Sequence, residues 1–197
     1  GDKHFYVHQI ENGKLVELSR NPHPHGLNVF WIHPKGHRLI ATQGNPGNNA
    51  TVQWYSIEGN RIEHLSEVNV APGVPTKLTG ASFILRISPD GTKALICQRS
   101  LGNGIDLSDI LIADLTLEKP EINAVVKQVS DGSESFAFHP NGKMAVATAL
   151  NRDHNCIAVL DIAAKPPRLL YTLDAKGMSQ GIEFTPEGDK LFVGSPI

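Results

Sequence analysis

Apolar and polar residues alternate in short runs along this chain, and Gly, Pro, Asn and Asp separate the runs. Period-two alternation bounded by such residues predicts half-buried β-strands joined by tight turns. One unit recurs: Phe30-Trp31-Ile32-His33-Pro34-Lys35-Gly36-His37-Arg38-Leu39-Ile40 is a strand, a turn and a strand. It returns around Ser88-Pro89-Asp90-Gly91, His139-Pro140-Asn141-Gly142 and Thr185-Pro186-Glu187-Gly188. Pro presets φ for the turn and Gly takes the positive φ that returns the chain antiparallel. The turn glycines are separated by 55, 51 and 46 residues, about the period of a four-stranded propeller blade.

Taken in order, strands are expected at 4–10 and 14–19 around Asn12-Gly13, a strong hairpin signal. They read as the outer half of a blade. A whole blade follows with strands at 27–32, 38–42, 52–57 and 61–68. The next has strands at 83–87, 93–98, 110–115 and 122–129, and a third at 135–138, 144–149, 156–162 and 168–173. Two further strands, 181–184 and 190–194, begin another blade. The predicted fold class is an all-β propeller of four-stranded antiparallel blades. The division is a half blade at 1–20, blades at 27–70, 81–129 and 135–174, and a half blade at 181–197. Either the chain is a segment of a larger ring, or its two half blades pair to close a four-bladed one. An incomplete ring leaves a sheet face and an edge open, so the remaining blades, or a companion chain supplying them, are expected partners.

Composition narrows the function. A formal net charge of -2 and an expected pI near neutrality argue against a general polyanion binder, so nucleic acid is not an expected partner. No apolar run is long enough to span a bilayer, so no membrane partner is expected. The chain starts at Gly1 without a Met, which leaves the compartment open. Cys97 and Cys156 lie in apolar runs of different repeats and read as buried free thiols. No Cys/His spacing resembles a zinc site, no motif calls for a cofactor, and no spacing of loop Asn and Asp oxygens demands Ca²⁺. Asn49-Ala50-Thr51 is a formal glycosylation sequon.

Residues 136–161 are the fullest copy of the repeat: a strand, His-Pro-Asn-Gly-Lys, a strand, then a hydrophobic strand ending in Asp161. This spelling resembles the lactonase-like seven-bladed propellers, which include propeller-type 6-phosphogluconolactonases, carboxymuconate cyclases and YVTN repeat proteins. Pro22-His23-Pro24-His25-Gly26, leading into an inner strand, resembles the Pro-His-x-His entry of the phosphogluconolactonase-like members. The resemblance implies a ring of which this chain holds a segment, with His, Arg and Glu side chains at the mouth of a central channel. Two stretches depart from those enzymes: Asp131-Gly132-Ser133-Glu134-Ser135 lacks their Arg-His, and Ala149-Leu150-Asn151 lacks their Asn-Glu.

In a propeller, the loops from strand four to strand one and from strand two to strand three share the ligand face. His25 and His23 fall there, each as a general base or carbonyl-polarising group, or as a turn-capping His in a Pro-rich loop. Glu134 is a second proton carrier or a partner for backbone groups at the strand entrance. Arg99 holds a carboxylate or phosphate, or pairs with Asp106 or Asp109. Arg152 and His154 lie in the polar loop 151–155, and Gln180 just precedes an inner strand. His33, His37 and His139 belong to the opposite, turn-bearing face and read as solvated groups. The expected activity is hydrolysis or cyclisation of a small carboxylated or phosphorylated lactone. The alternatives are a non-catalytic scaffold binding protein or glycan, and a propeller subunit of a redox complex.

Overall fold

The computed structural model describes residues 3–23, 27, 29–43, 51–69, 82–99, 109–118, 121–127, 129, 133, 135–150, 155–175 and 181–194. These described residues form sixteen strands in five antiparallel sheets, the all-β architecture that the repeats predict. Strands β1 (His4–Glu11) and β2 (Lys14–Pro22) form a two-stranded sheet around Asn12 and Gly13, whose φ values of 51° and 75° are those of a tight hairpin turn. Three four-stranded sheets follow. The first is β3 (Val29–Ile32), β4 (Arg38–Gln43), β5 (Thr51–Glu58) and β6 (Arg61–Asn69). The second is β7 (Ser82–Ile87), β8 (Lys93–Arg99), β9 (Ile110–Asp114) and β10 (Glu121–Val126). The third is β11 (Phe136–Phe138), β12 (Met144–Leu150), β13 (Asn155–Asp161) and β14 (Arg168–Asp174). Strands β15 (Gly181–Phe184) and β16 (Leu191–Gly194) make the last sheet.

The first strands of successive sheets lie side by side, β3 against β7, β7 against β11 and β11 against β15. They form the inner line of the propeller, with each sheet radiating outward from it. Because side chains alternate across a strand, each four-stranded sheet presents one apolar face to the sheet before it and one to the sheet after. Four cores result, each between sheets. Phe5 packs with Leu39, Ala41 and Tyr55, and Ile40 and Trp54 pack with Leu85, Ile87 and Ile96. Leu95, Ile110 and Ile112 pack with Phe136, Phe138 and Leu160, and Val146, Ile157 and Val159 pack with Ile182. Strands covered on both faces lose their polar alternation, which is why β13 is buried at five consecutive positions. Cys97 and Cys156 are buried in the core between the second and third four-stranded sheets.

The four repeated turns are closed in the same way. The amides of Gly36, Gly91, Gly142 and Gly188 donate to the carbonyls of His33, Ser88, His139 and Thr185 at 2.7 to 3.0 Å. Here one expectation is overturned: His33 is buried and His139 is half-buried, so neither is a solvated group. His33 Nδ1 accepts the Lys35 amide at 3.1 Å, which leaves the proton on Nε2 to donate to the Gly91 carbonyl of the next sheet's turn at 2.9 Å. His139 repeats this with the Asn141 amide at 3.1 Å and the Gly188 carbonyl at 3.1 Å. The rings lock one sheet's turn onto the next. They also demand glycine there, since a Cβ on Gly91 would lie 2.3 Å from His33 Nε2 and one on Gly188 2.6 Å from the His139 ring.

The two ends of the repeat series differ from its middle. Phe30 on β3 is 52% exposed, whereas Leu85, Phe136 and Ile182 at the equivalent positions are 2%, 1% and 4% exposed. Phe192 on β16 is 65% exposed, against 1%, 0% and 3% for the equivalent Ile40, Leu95 and Val146. No ladder joins β1–β2 to β15–β16 among the described residues.

Candidate functional site

The ligand face expected from the sequence is bounded by the ends of β2, β4, β6, β8, β10, β12 and β14 and the starts of β3, β5, β7, β9, β11, β13 and β15. At the start of it, Asn21 ties β2 to the neighbouring sheet. Its Nδ2 donates to the Asn60 carbonyl at 3.0 Å and its Oδ1 accepts the Ile62 amide at 2.9 Å. Two residues on, the His23 amide donates to the Lys3 carbonyl at 2.9 Å. The His23 ring is buried against Phe5, with centroids 5.0 Å apart, and Phe5 meets Tyr55 edge-on at 5.1 Å. His23 therefore caps an aromatic cluster between β1–β2 and the first four-stranded sheet. Below it the Tyr55 phenol, pushed up to about 12 by burial and then by the Glu67 carboxylate, stays protonated and donates to Gln53 Oε1 at 2.5 Å.

Arg99 is the last residue of β8, its backbone paired with Ser82, and its side chain falls outside the described set. Asp109, one of the partners weighed for Arg99, takes the Lys127 ammonium at 2.6 Å. His25, Glu134, Arg152, His154 and Gln180 lie outside the described residues. Around them the scaffold is well tied. Ser133 is fully buried, and the Ser135 and Thr148 backbones pair at the entrance to β11, where Thr148 Oγ1 also accepts the Ser135 amide at 3.0 Å. Among the described residues, no three His, Cys, Asp or Glu side chains are grouped to hold a metal ion.

The inner line carries a constellation that the sequence reading passed over. Trp31, Arg86, Ala137 and Glu183 occupy one position, five residues before each turn glycine, on β3, β7, β11 and β15. The Arg86 guanidinium lies over the Trp31 ring, 4.8 Å from its centroid, and its Nη2 pairs with Glu183 Oε2. Ala137 between them is fully buried and has no bulk to stand in the way. Arg86 thus reaches past the third sheet to the fourth inner strand. Side-chain exposures of 26% for Arg86 and 55% for Glu183 leave both facing solvent along the inner line. A guanidinium carries five N–H donors in a planar fork, so one held on an indole face presents its edge to a carboxylate or phosphate. The signal was available: alignment on the turn glycines places two opposite charges on innermost strands that carry no other charge.

No protein-family model and no curated protein matches the chain. Solved structures do. A Bacteroides fragilis protein provisionally named a 6-phosphogluconolactonase is 15% identical, with a TM-score of 0.69 over 98% of this chain and 58% of its own. The periplasmic gluconolactonase of Pseudomonas aeruginosa is 15% identical, with a TM-score of 0.67 over 98% of this chain and 52% of its own. Hydrazine synthase of Kuenenia stuttgartiensis is 13% identical, with a TM-score of 0.70 over 96% of this chain and 62% of its own. The chain therefore spans little more than half the length of the structures it matches. At such identities the likeness concerns fold, and one fold carries unrelated chemistries. The chain has the fold of the lactonase-like β-propellers.

Proposed function

We propose that this chain is part of a lactonase-like propeller that hydrolyses or cyclises a small carboxylated or phosphorylated lactone in the central channel. The observation that carries this reading is Arg86, fixed over Trp31 beside Glu183 on the inner strands. The guanidinium is held in place by Trp31 and Glu183, and the N–H donors it does not give to Glu183 would take an anionic substituent. Arg86 lies four residues along β7 from Ser82, roughly 13 Å at the rise of a strand. A ligand held there and reacting at the loop face has its anionic group remote from its lactone carbonyl.

In the hydrolytic form, His25 removes a proton from water as the water oxygen bonds to the lactone carbonyl carbon. The ring C–O bond then breaks, and the ring oxygen leaves with a proton supplied by His25 or Glu134. The product is a hydroxy acid. His23 supports the entry loop through its packing on Phe5, while Arg99, Arg152, His154 and Gln180 complete the substrate contacts. In the same reading, Phe30 and Phe192 are covered by the remaining blades or a companion chain.

The test is turnover of a lactone panel by the purified protein together with any chain that accompanies it. Turnover of terminally phosphorylated or carboxylated lactones, abolished in His25→Ala with folding intact, supports the proposal. Unchanged turnover in that variant removes the mechanism. Tight binding without turnover favours the non-catalytic scaffold, and a visible absorbance band from a co-purifying partner favours the redox subunit.

A further inference from the structure

The turn-bearing rims of successive sheets meet at three places among the described residues, and imidazoles fill two of them. His33 occupies the first junction and His139 the third. At the middle junction the equivalent residue is Ser88, which folds back into its own turn. Its Oγ donates to Asp90 Oδ1 at 2.6 Å and accepts the Lys93 amide at 2.9 Å. It does not span to the next rim. A Cβ built on Gly142 meets nothing within 4 Å, whereas on Gly91 and Gly188 it would strike a histidine ring. In place of a ring there is a half-open pocket of about 150 Å³ between the two rims.

Ser88, Asp90 and Asn141 supply the polar side of that pocket, and Pro140 and Ile162 the apolar side. A cavity of roughly 150 Å³ accommodates a benzene ring, and an imidazole is smaller. We propose that this pocket is a binding site for a neutral imidazole-type ring bearing an N–H donor, seated as the His33 ring is seated against Gly91. The Gly142 carbonyl is the equivalent acceptor. The apolar walls of Pro140 and Ile162 hold the ring faces. The ligand class is a free azole or the histidine side chain of a partner, both of which present this ring.

The test is an amide-resolved NMR titration with free imidazole of protein purified without it, at about pH 8.5, where the probe is neutral. Saturable shifts at Asp90, Thr92, Asn141 and Gly142 are expected, lost in Ser88→His, whose own ring fills the pocket. Gly142→Ala, which places a methyl group in the same space, should also lose them. A histidine peptide that reproduces the shifts identifies a partner side chain as a competent source, and one that does not restricts the site to free azoles. Absence of saturable shifts, or shifts retained in both variants, overturns the proposal.

Discussion

His33 joins two sheets with both of its ring nitrogens: Nδ1 accepts the Lys35 amide within its own turn, and Nε2 donates to the Gly91 carbonyl of the next. Only the neutral ring can do this, because a second ring proton would face an amide N–H. Burial accordingly lowers the His33 pKa from 6.5, and His37, Lys35 and Arg38 lower it further against the raising effect of the Gly91 hydrogen bond.

A stability consequence follows from that direction. Where the unfolded ring binds a proton that the folded ring refuses, stability rises with pH. The His33 contribution is thus fully present above about 6.5 and is lost as the pH falls through the lower folded value. His33→Ser should cost about 1 kcal/mol at neutral pH and flatten the acid limb of the stability curve. Urea midpoints across the pH range check both.

Gly91 and Gly142 both hold positive φ, at 73° and 67°, yet only Gly91 faces a ring. Alanine at either position incurs left-handed strain of about 1–2 kcal/mol. Gly91→Ala should cost about 1–3 kcal/mol more, because the His33 ring must be displaced. Equal unfolding midpoints for the two variants would show that the ring does not constrain the turn.

Arg86 offers a specificity readout. Arg86→Ala should raise KM for an anionic lactone by about ten- to a hundredfold, the range of a lost charge-assisted hydrogen bond, and leave an uncharged lactone unaffected. Arg86→Lys should recover little, because an ammonium lacks the planar fork that stacks on Trp31. Steady-state kinetics on a charged and an uncharged lactone separate this from a general loss of folding.

Phe192 and Leu95 occupy the same repeat position in opposite surroundings. Leu95→Ser should destabilise by about 3–5 kcal/mol, since it empties a core and buries a hydroxyl. Phe192→Ser should change stability by no more than about 0.5 kcal/mol and reduce self-association, as sedimentation velocity would register. A large loss of stability in Phe192→Ser would mean that its face is covered within the chain.

Much of the fold was readable before the structure because its determinants are local. Alternation and the Pro-x-Gly turns place β3 through β16 within a residue or two of the observed strands. The main exception is β10, which ends at Val126 rather than 129. Each turn is closed by its own residues, such as the Gly91 amide on the Ser88 carbonyl, so a window of a few residues suffices to specify it.

The sites were not readable in this way, because they are made between repeats. Nothing near His33 in sequence announces that its partner is Gly91, 58 residues away. Arg86 and Glu183 are 97 residues apart and meet because Ala137 lets a long side chain pass. The sequence by itself determined the strands, their turns and the propeller class, since period-two patterning and turn chemistry act over a few residues. Only the tertiary structure decided which rims are latched, where a pocket opens and what faces the inner strands. Those depend on stacking sheets distant in sequence, where a single Ser for His or Ala for Trp changes what its neighbours can reach.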